Sequence, residues 1–161
     1  MKKEYIENDI DNPKYLFSGS PFLLEYLEPR KAHDKNHNPL NEDIAVYLTS
    51  SWIIASAYSF GKNSKYHGSF GTDRIDGNPY VFFENDNLDD EEIGYIYVFE
   101  NDSKKFIHNG GSSLQYRCHE KITPIEIITV KFKDYKDLYN IENRKKWNKI
   151  NINIKYMLLF K

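Results

Sequence analysis

The chain has 161 residues, with 24 Asp and Glu against 22 Lys and Arg and a formal net charge of −2. That length suits one domain spanning 1–161, and so small a charge gives no electrostatic case for binding duplex nucleic acid. The single cysteine, Cys118, excludes an intrachain disulfide, and no run approaches the roughly 20 apolar residues a membrane helix needs.

The hydrophobic fraction is only 40%, but aromatics reach 16%, with 13 tyrosines and 10 phenylalanines. Rings of that size bury enough area to build a core from a polar-looking sequence. The start, Met1-Lys2-Lys3-Glu4-Tyr5, lacks the apolar stretch of a secretory leader, so a cytoplasmic, membrane-free protein is expected.

Residues 1–13 are polar and end at Pro13. Lys14-Tyr15-Leu16-Phe17 reads as a short strand, stopped by Gly19 and Pro21. Phe22 to Leu27 reads as one helical turn or an extended piece. Residues 30–43 are rich in Asp, Asn, His and Lys and read as a long loop. Ile44 to Leu48 has the character of a buried strand. Thr49 or Ser50 is placed to cap a helix over about Ser51 to Phe60, whose Ala55, Ser56 and Ala57 suit close packing on a sheet.

Residues 62–79 hold Gly68, Gly71, Gly77 and Pro79 and read as an irregular insertion. Strands follow at 79–83 and 93–99, joined by an acidic loop over 84–92. Phe106-Ile107 is a strand fragment, Ile125 to Phe132 a strand, and Lys136 to Trp147 a short helix. Ile150 to Tyr156 alternates apolar and polar residues, as a half-buried strand does. The basic cluster Arg144-Lys145-Lys146 with Lys149 reads as a solvated face. The pattern predicts an α+β fold: a strand-rich, mixed or antiparallel, split sheet with one or two short helices.

Three segments stand out for chemistry. Phe17-Ser18-Gly19-Ser20-Pro21 ends a strand in small residues. Tyr47-Leu48-Thr49-Ser50-Ser51 runs straight into a helix carrying Tyr58. Glu120-Lys121-Ile122-Thr123-Pro124 sets a carboxylate before another apolar run. Taken singly, these read as a turn, a pair of core aromatics and a surface acid. In this order they resemble the ADP-ribosyltransferase superfold, shared by diphtheria-toxin-like transferases, poly-ADP-ribose polymerases and RNA 2′-phosphotransferases.

The resemblance implies NAD, or a related ADP-ribose nucleotide, as the bound substrate, with no metal. It implies that the Gly19 backbone pairs with the nicotinamide amide, flanked by Ser18 and Ser20. Tyr47 and Tyr58 would sandwich the nicotinamide ring, Thr49 would line the site, and Glu120 would hold the ribose 2′-hydroxyl. Tyr47 and Glu120 thus become the candidate catalytic residues. A protein or nucleic-acid acceptor, and a toxin, phage or defence role, follow from the family alone. Serine stands at position 18, where the family has His or Arg. A second motif, Tyr66-His67-Gly68-Ser69, lies out of order, and its His67 is a candidate to fold over the site. Two alternatives stay open: a non-catalytic nucleotide-binding module, and an RNA 2′-phosphotransferase, for which Arg117 is the one basic residue near a motif.

Cys118-His119-Glu120 sets thiol, imidazole and carboxylate in a row, but strand neighbours point to opposite faces, so Cys118 and His119 would not meet. His33 and His37 are four apart in a segment whose Asn36, Asn38 and Pro39 oppose a helix.

Overall fold

The computed structural model describes residues 2–31, 43–60, 70–84 and 89–141. The fold is α+β and strand-rich. In chain order come α1 (Lys3–Ile6), β1 (Tyr15–Ser20), β2 (Arg30–Lys31), β3 (Ile44–Thr49), α2 (Trp52–Ser59), β4 (Phe70–Ile75) and β5 (Asn78–Phe83). Then follow β6 (Ile93–Glu100), β7 (Ile107–His108), β8 (Gln115–Cys118), β9 (Glu126–Lys131), two 3-10 turns and β10 (Asn140–Ile141).

The main sheet is antiparallel, in the order β7-β8-β3-β1-β6-β9, with β2 added to the edge of β3. The second sheet is small and mixed: β4 and β5 form a hairpin, and β10 joins β5 in parallel. Side chains on a strand alternate between faces, so the register divides the main sheet cleanly. Phe17, Gly19, Ile96, Val98 and Thr49 share one face, which α2 covers. Leu16, Val46, Leu48, Tyr97 and Cys118 lie on the other and build a second core with Leu27 and Ile122.

α2 is packed nearly all round, with six of its eight residues buried. Its N-cap is Ser51, whose hydroxyl accepts from the Ile54 amide at 3.3 Å, rather than Thr49 or Ser50. Thr49 serves one step earlier, accepting from the Ser51 amide at 3.1 Å. The far flank of the helix is pinned by tyrosines that follow β9. Trp52 Nε1 donates to the Tyr135 hydroxyl at 2.9 Å, and the Ser56 and Tyr139 hydroxyls share a 2.5 Å hydrogen bond.

Several sequence expectations need correction. Part of the supposed irregular insertion is regular: β4 and β5 meet at Asp76-Gly77, both at positive φ (52° and 80°), the geometry of a tight two-residue hairpin turn. β2 lies inside the expected long loop, and β8 and α1 fall where no element was expected. Over the expected helix 136–147, the described part is a 3-10 turn, Lys136–Leu138, and then β10. Of the two readings of Phe22 to Leu27, the helical turn is absent; the segment's one strand-type contact is the bridge from Leu27 to Ile122. The strand expected at 150–156 and the basic cluster lie outside the described residues. Among those described, no helix is long and apolar enough to cross a membrane.

Candidate functional site

The main sheet parts in its middle. β1 is joined to β6 along its whole length, from Tyr15–Glu100 to Ser20–Tyr95. On its other side a single register pair, Phe17–Thr49, joins it to β3. Beyond that pair β1 and β3 are no longer paired. β2 pairs with β3 four residues away, at Arg30–Ala45 and Lys31–Ile44. The result is a wedge bounded by Ser18–Ser20 and Val46–Leu48. Its walls carry main-chain groups that no neighbouring strand bonds, the kind of edge a ligand amide can pair with.

Gly19 stands at the wall of this wedge and beneath α2. A Cβ there would sit 1.9 Å from the Ala55 carbonyl oxygen and 2.7 Å from the Ser59 nitrogen. Gly94 on β6 is also tight, with a Cβ position 2.4 Å from the Ser59 oxygen. A side chain at Gly19 is excluded by the helix and not by a ligand. Helix backbone fills that space. The glycine seats the last turn of α2 against the strand, and that turn carries Tyr58.

Tyr58 is 48% exposed on a helix that is otherwise mostly buried. Trp52 and Ser56 are four apart and mark the flank held by Tyr135 and Tyr139. Ile54 and Tyr58, also four apart, mark the opposite flank. In the sheet order β3 lies on the opposite side of β1 from β9.

Tyr47 lies on the helix-covered face of β3, two residues before Thr49, and is half-buried. Its hydroxyl donates to the Asp43 carbonyl at 2.5 Å. The Asp43 carboxylate accepts from Arg117 at 2.9 Å and also bonds His119. Hydrogen bonding from His119, with the positive charge of Arg117 behind it, holds the Asp43 carboxyl below its usual range. Arg117 donates further to Asn109 at 2.9 Å. This network fixes the Tyr47 side of the wedge and was missed in the sequence, because Asp43 lies 74 and 76 residues from Arg117 and His119.

The remaining candidates lie on the other face. Ser18 is opposite Tyr97 in the register, and Ser20 opposite Tyr95. The Ser20 hydroxyl accepts from the Phe22 amide at 3.1 Å, which starts the turn out of β1. Tyr97 fastens that turn, donating to the Phe22 carbonyl and accepting from the Leu24 amide at 2.7 Å. Glu120 follows β8 and is exposed; Lys105 faces it at 3.6 Å. The next residues are clamped to the chain after β1 by paired Leu27–Ile122 hydrogen bonds of 2.9 and 3.0 Å and by Lys121 lying 3.7 Å from the Tyr26 ring centroid.

The predicted residues therefore fall into two sets. Gly19, Tyr47, Thr49 and Tyr58 belong to the helix side of the sheet, with Thr49 buried and its hydroxyl accepting from the Ser51 amide. Ser18, Ser20 and the segment carrying Glu120 belong to the other side.

No protein-family model, curated protein or solved structure matches the chain.

Cys118 is buried and donates to the Glu120 carbonyl at 3.6 Å, and burial raises its thiol pKa, the reverse of an activated nucleophile. His119 is turned to Asp43, so the three-residue row does not assemble. Among the described residues no group of three or more His, Cys, Asp or Glu is placed to hold a metal ion. His67 lies outside the described residues.

Proposed function

We propose that the chain binds NAD or a related ADP-ribose nucleotide at the wedge between β1 and β3 and transfers ADP-ribose to a macromolecular acceptor. The observation that carries this reading is the wedge itself. An unpaired β1 edge at Ser18–Ser20 lies beside the helix turn that exposes Tyr58. A nicotinamide amide has one donor pair and one acceptor, which suits a strand edge, and its flat ring suits a tyrosine face. Such stacking is worth roughly 0.5–1.5 kcal/mol beyond burial.

In the reaction, the bond between ribose C1′ and the nicotinamide nitrogen breaks, and its electron pair leaves with nicotinamide. A nucleophilic atom of the acceptor bonds C1′ and releases its proton to solvent. Positive charge develops on the ribose in between, and Glu120 is the carboxylate assigned to stabilise it. The test is nicotinamide release from labelled NAD by the wild-type chain and by Glu120→Gln. Release by the wild type that falls in the variant supports the reading.

A second reading is favoured by two specific observations. Serine occupies position 18, and the one carboxylate assigned to catalysis faces Lys105. Both suit a module that keeps the nucleotide and has lost turnover. Tight NAD binding without nicotinamide release selects this reading over the enzyme. Absence of binding to any ADP-ribose nucleotide sinks both. The 2′-phosphotransferase reading draws no support from Arg117, whose guanidinium is engaged by Asp43 and Asn109.

A further inference from the structure

We propose that His119, oriented by Asp43, is the base that takes the proton of a hydroxyl acceptor at the Tyr47 end of the wedge. The inference rests on the transfer reading above and names the acceptor class and the group that activates it.

Three observations carry it. First, hydrogen bonds tie His119 to the wall of the wedge. Tyr47 stands opposite Arg117 in the β3–β8 register, so both project to one face, and His119 follows two residues on. The Tyr47 hydroxyl donates to the Asp43 carbonyl at 2.5 Å, and the Asp43 carboxylate bonds His119. Tyr47 thus runs from the wedge wall to the residue that holds the imidazole.

Second, the same bonds fix which ring nitrogen is free. His119 meets Asp43 through Nε2. An ionised carboxylate only accepts, so Nε2 carries the proton and Nδ1 keeps its lone pair. Asp43 is kept ionised by His119 and by Arg117, which donates to it at 2.9 Å and is itself braced by Asn109. Nδ1 has no hydrogen bond among the described residues, and the ring is half exposed, so a substrate hydroxyl can reach it.

Third, the surrounding charges select the acceptor. A carboxylate has no proton to give at neutral pH and needs no base. An ammonium or guanidinium would bring a second cation beside Arg117. A hydroxyl is neutral and must shed a proton as it reacts. Its oxygen lone pair forms the bond to ribose C1′, the C1′–nitrogen electron pair leaves with nicotinamide, and the proton moves to Nδ1. The Asp43 charge stabilises the imidazolium, which then passes the proton to solvent. Glu120, next in the chain, is paired with Lys105 rather than with the imidazole.

The test is the pH dependence of NAD turnover by the full chain, with water, the simplest hydroxyl, as acceptor and nicotinamide release as the readout. Variants are His119→Gln, His119→Ala and, as a control, His108→Gln, whose ring is held by the Ser113 carbonyl. Wild type and His108→Gln are expected to lose activity toward acid along a one-proton limb. His119→Gln is expected to turn over roughly a hundredfold more slowly, without that limb and with NAD affinity within about twofold of wild type. Free imidazole is expected to restore turnover to His119→Ala. An unchanged rate and limb in His119→Gln overturns the role of His119 and leaves the transfer reading standing. A loss that imidazole does not restore also overturns it, because the residue then acts through the Asp43 network alone. Wild type that releases no nicotinamide overturns this inference together with the transfer reading beneath it.

Discussion

A methyl group on Gly19 would lie 1.9 Å from the carbonyl oxygen of Ala55. The obstructing atom is helix backbone, which cannot swing aside as a side chain can. The strand and the helix that carries Tyr58 are locked together at the point where β1 leaves β3.

Gly19→Ala is therefore expected to destabilise the fold. Replacing a strand glycine ordinarily gains roughly 0.5–1 kcal/mol through chain entropy. The overpacking term, about 1–3 kcal/mol, opposes that gain and exceeds it here because the helix must shift. Urea unfolding reads the result as a lower midpoint at an unchanged slope. A midpoint equal to or above that of wild type contradicts the close seating of α2.

Tyr58 has the opposite profile. It is half-exposed, so Tyr58→Ala is expected to move stability by less than about 1 kcal/mol while weakening NAD binding by roughly three- to tenfold through lost stacking. Tyr58→Phe keeps the ring and is expected to bind as wild type does. Parallel denaturation and calorimetry separate the two effects. A loss in the phenylalanine variant as large as in alanine removes the stacking role.

Glu120 and Lys105 are both about half exposed at 3.6 Å, so their pairing contributes little to stability. Glu120→Gln is expected to leave the unfolding midpoint in place. Loss of one well-placed group that stabilises transition-state charge lowers turnover by roughly a hundred- to a thousandfold. The rate of nicotinamide release checks this, and an unchanged rate removes Glu120 from the chemistry.

The Asp43 network has a pH signature. His119, first, and Arg117 keep the Asp43 carboxyl below its ordinary range in the folded chain. A carboxyl depressed on folding contributes stability that is complete above its unfolded pKa and is lost as pH falls through the folded one. Asp43→Asn removes that contribution. Its unfolding midpoint should fall less steeply than wild type between about pH 5 and 2, with the two curves furthest apart at neutral pH. Parallel curves through the acid range contradict the coupling.

Legibility in the sequence followed the range of the forces involved. β1, β3, β6, β9 and α2 were readable because each is a run of apolar residues ended by local signals such as Pro21 and the Thr49-Ser50-Ser51 hydroxyls. β5 was readable from Pro79 to Phe83; β4 and the turn between them were readable in principle from Asp76-Gly77, a dipeptide suited to a tight turn, but nearby glycines made the stretch look irregular. β2 and β8 were not readable. They are two and four residues long and exist because β3 offers them an edge.

The site divides in the same way. Tyr47, Tyr58 and Gly19 stood out in the sequence, though the reason for Gly19 did not. Its partner, Ala55, lies 36 residues away in the chain, and no local pattern marks that contact.

The most direct measurement is an NAD titration of the isotope-labelled chain followed through backbone amide chemical shifts. A ligand in the wedge is expected to shift Ser18, Gly19, Ser20, Tyr47 and Tyr58 together, saturably and with one dissociation constant. Shifts absent from all five residues, or confined to the surface around Leu23 and Tyr26, contradict a nucleotide site between β1 and β3.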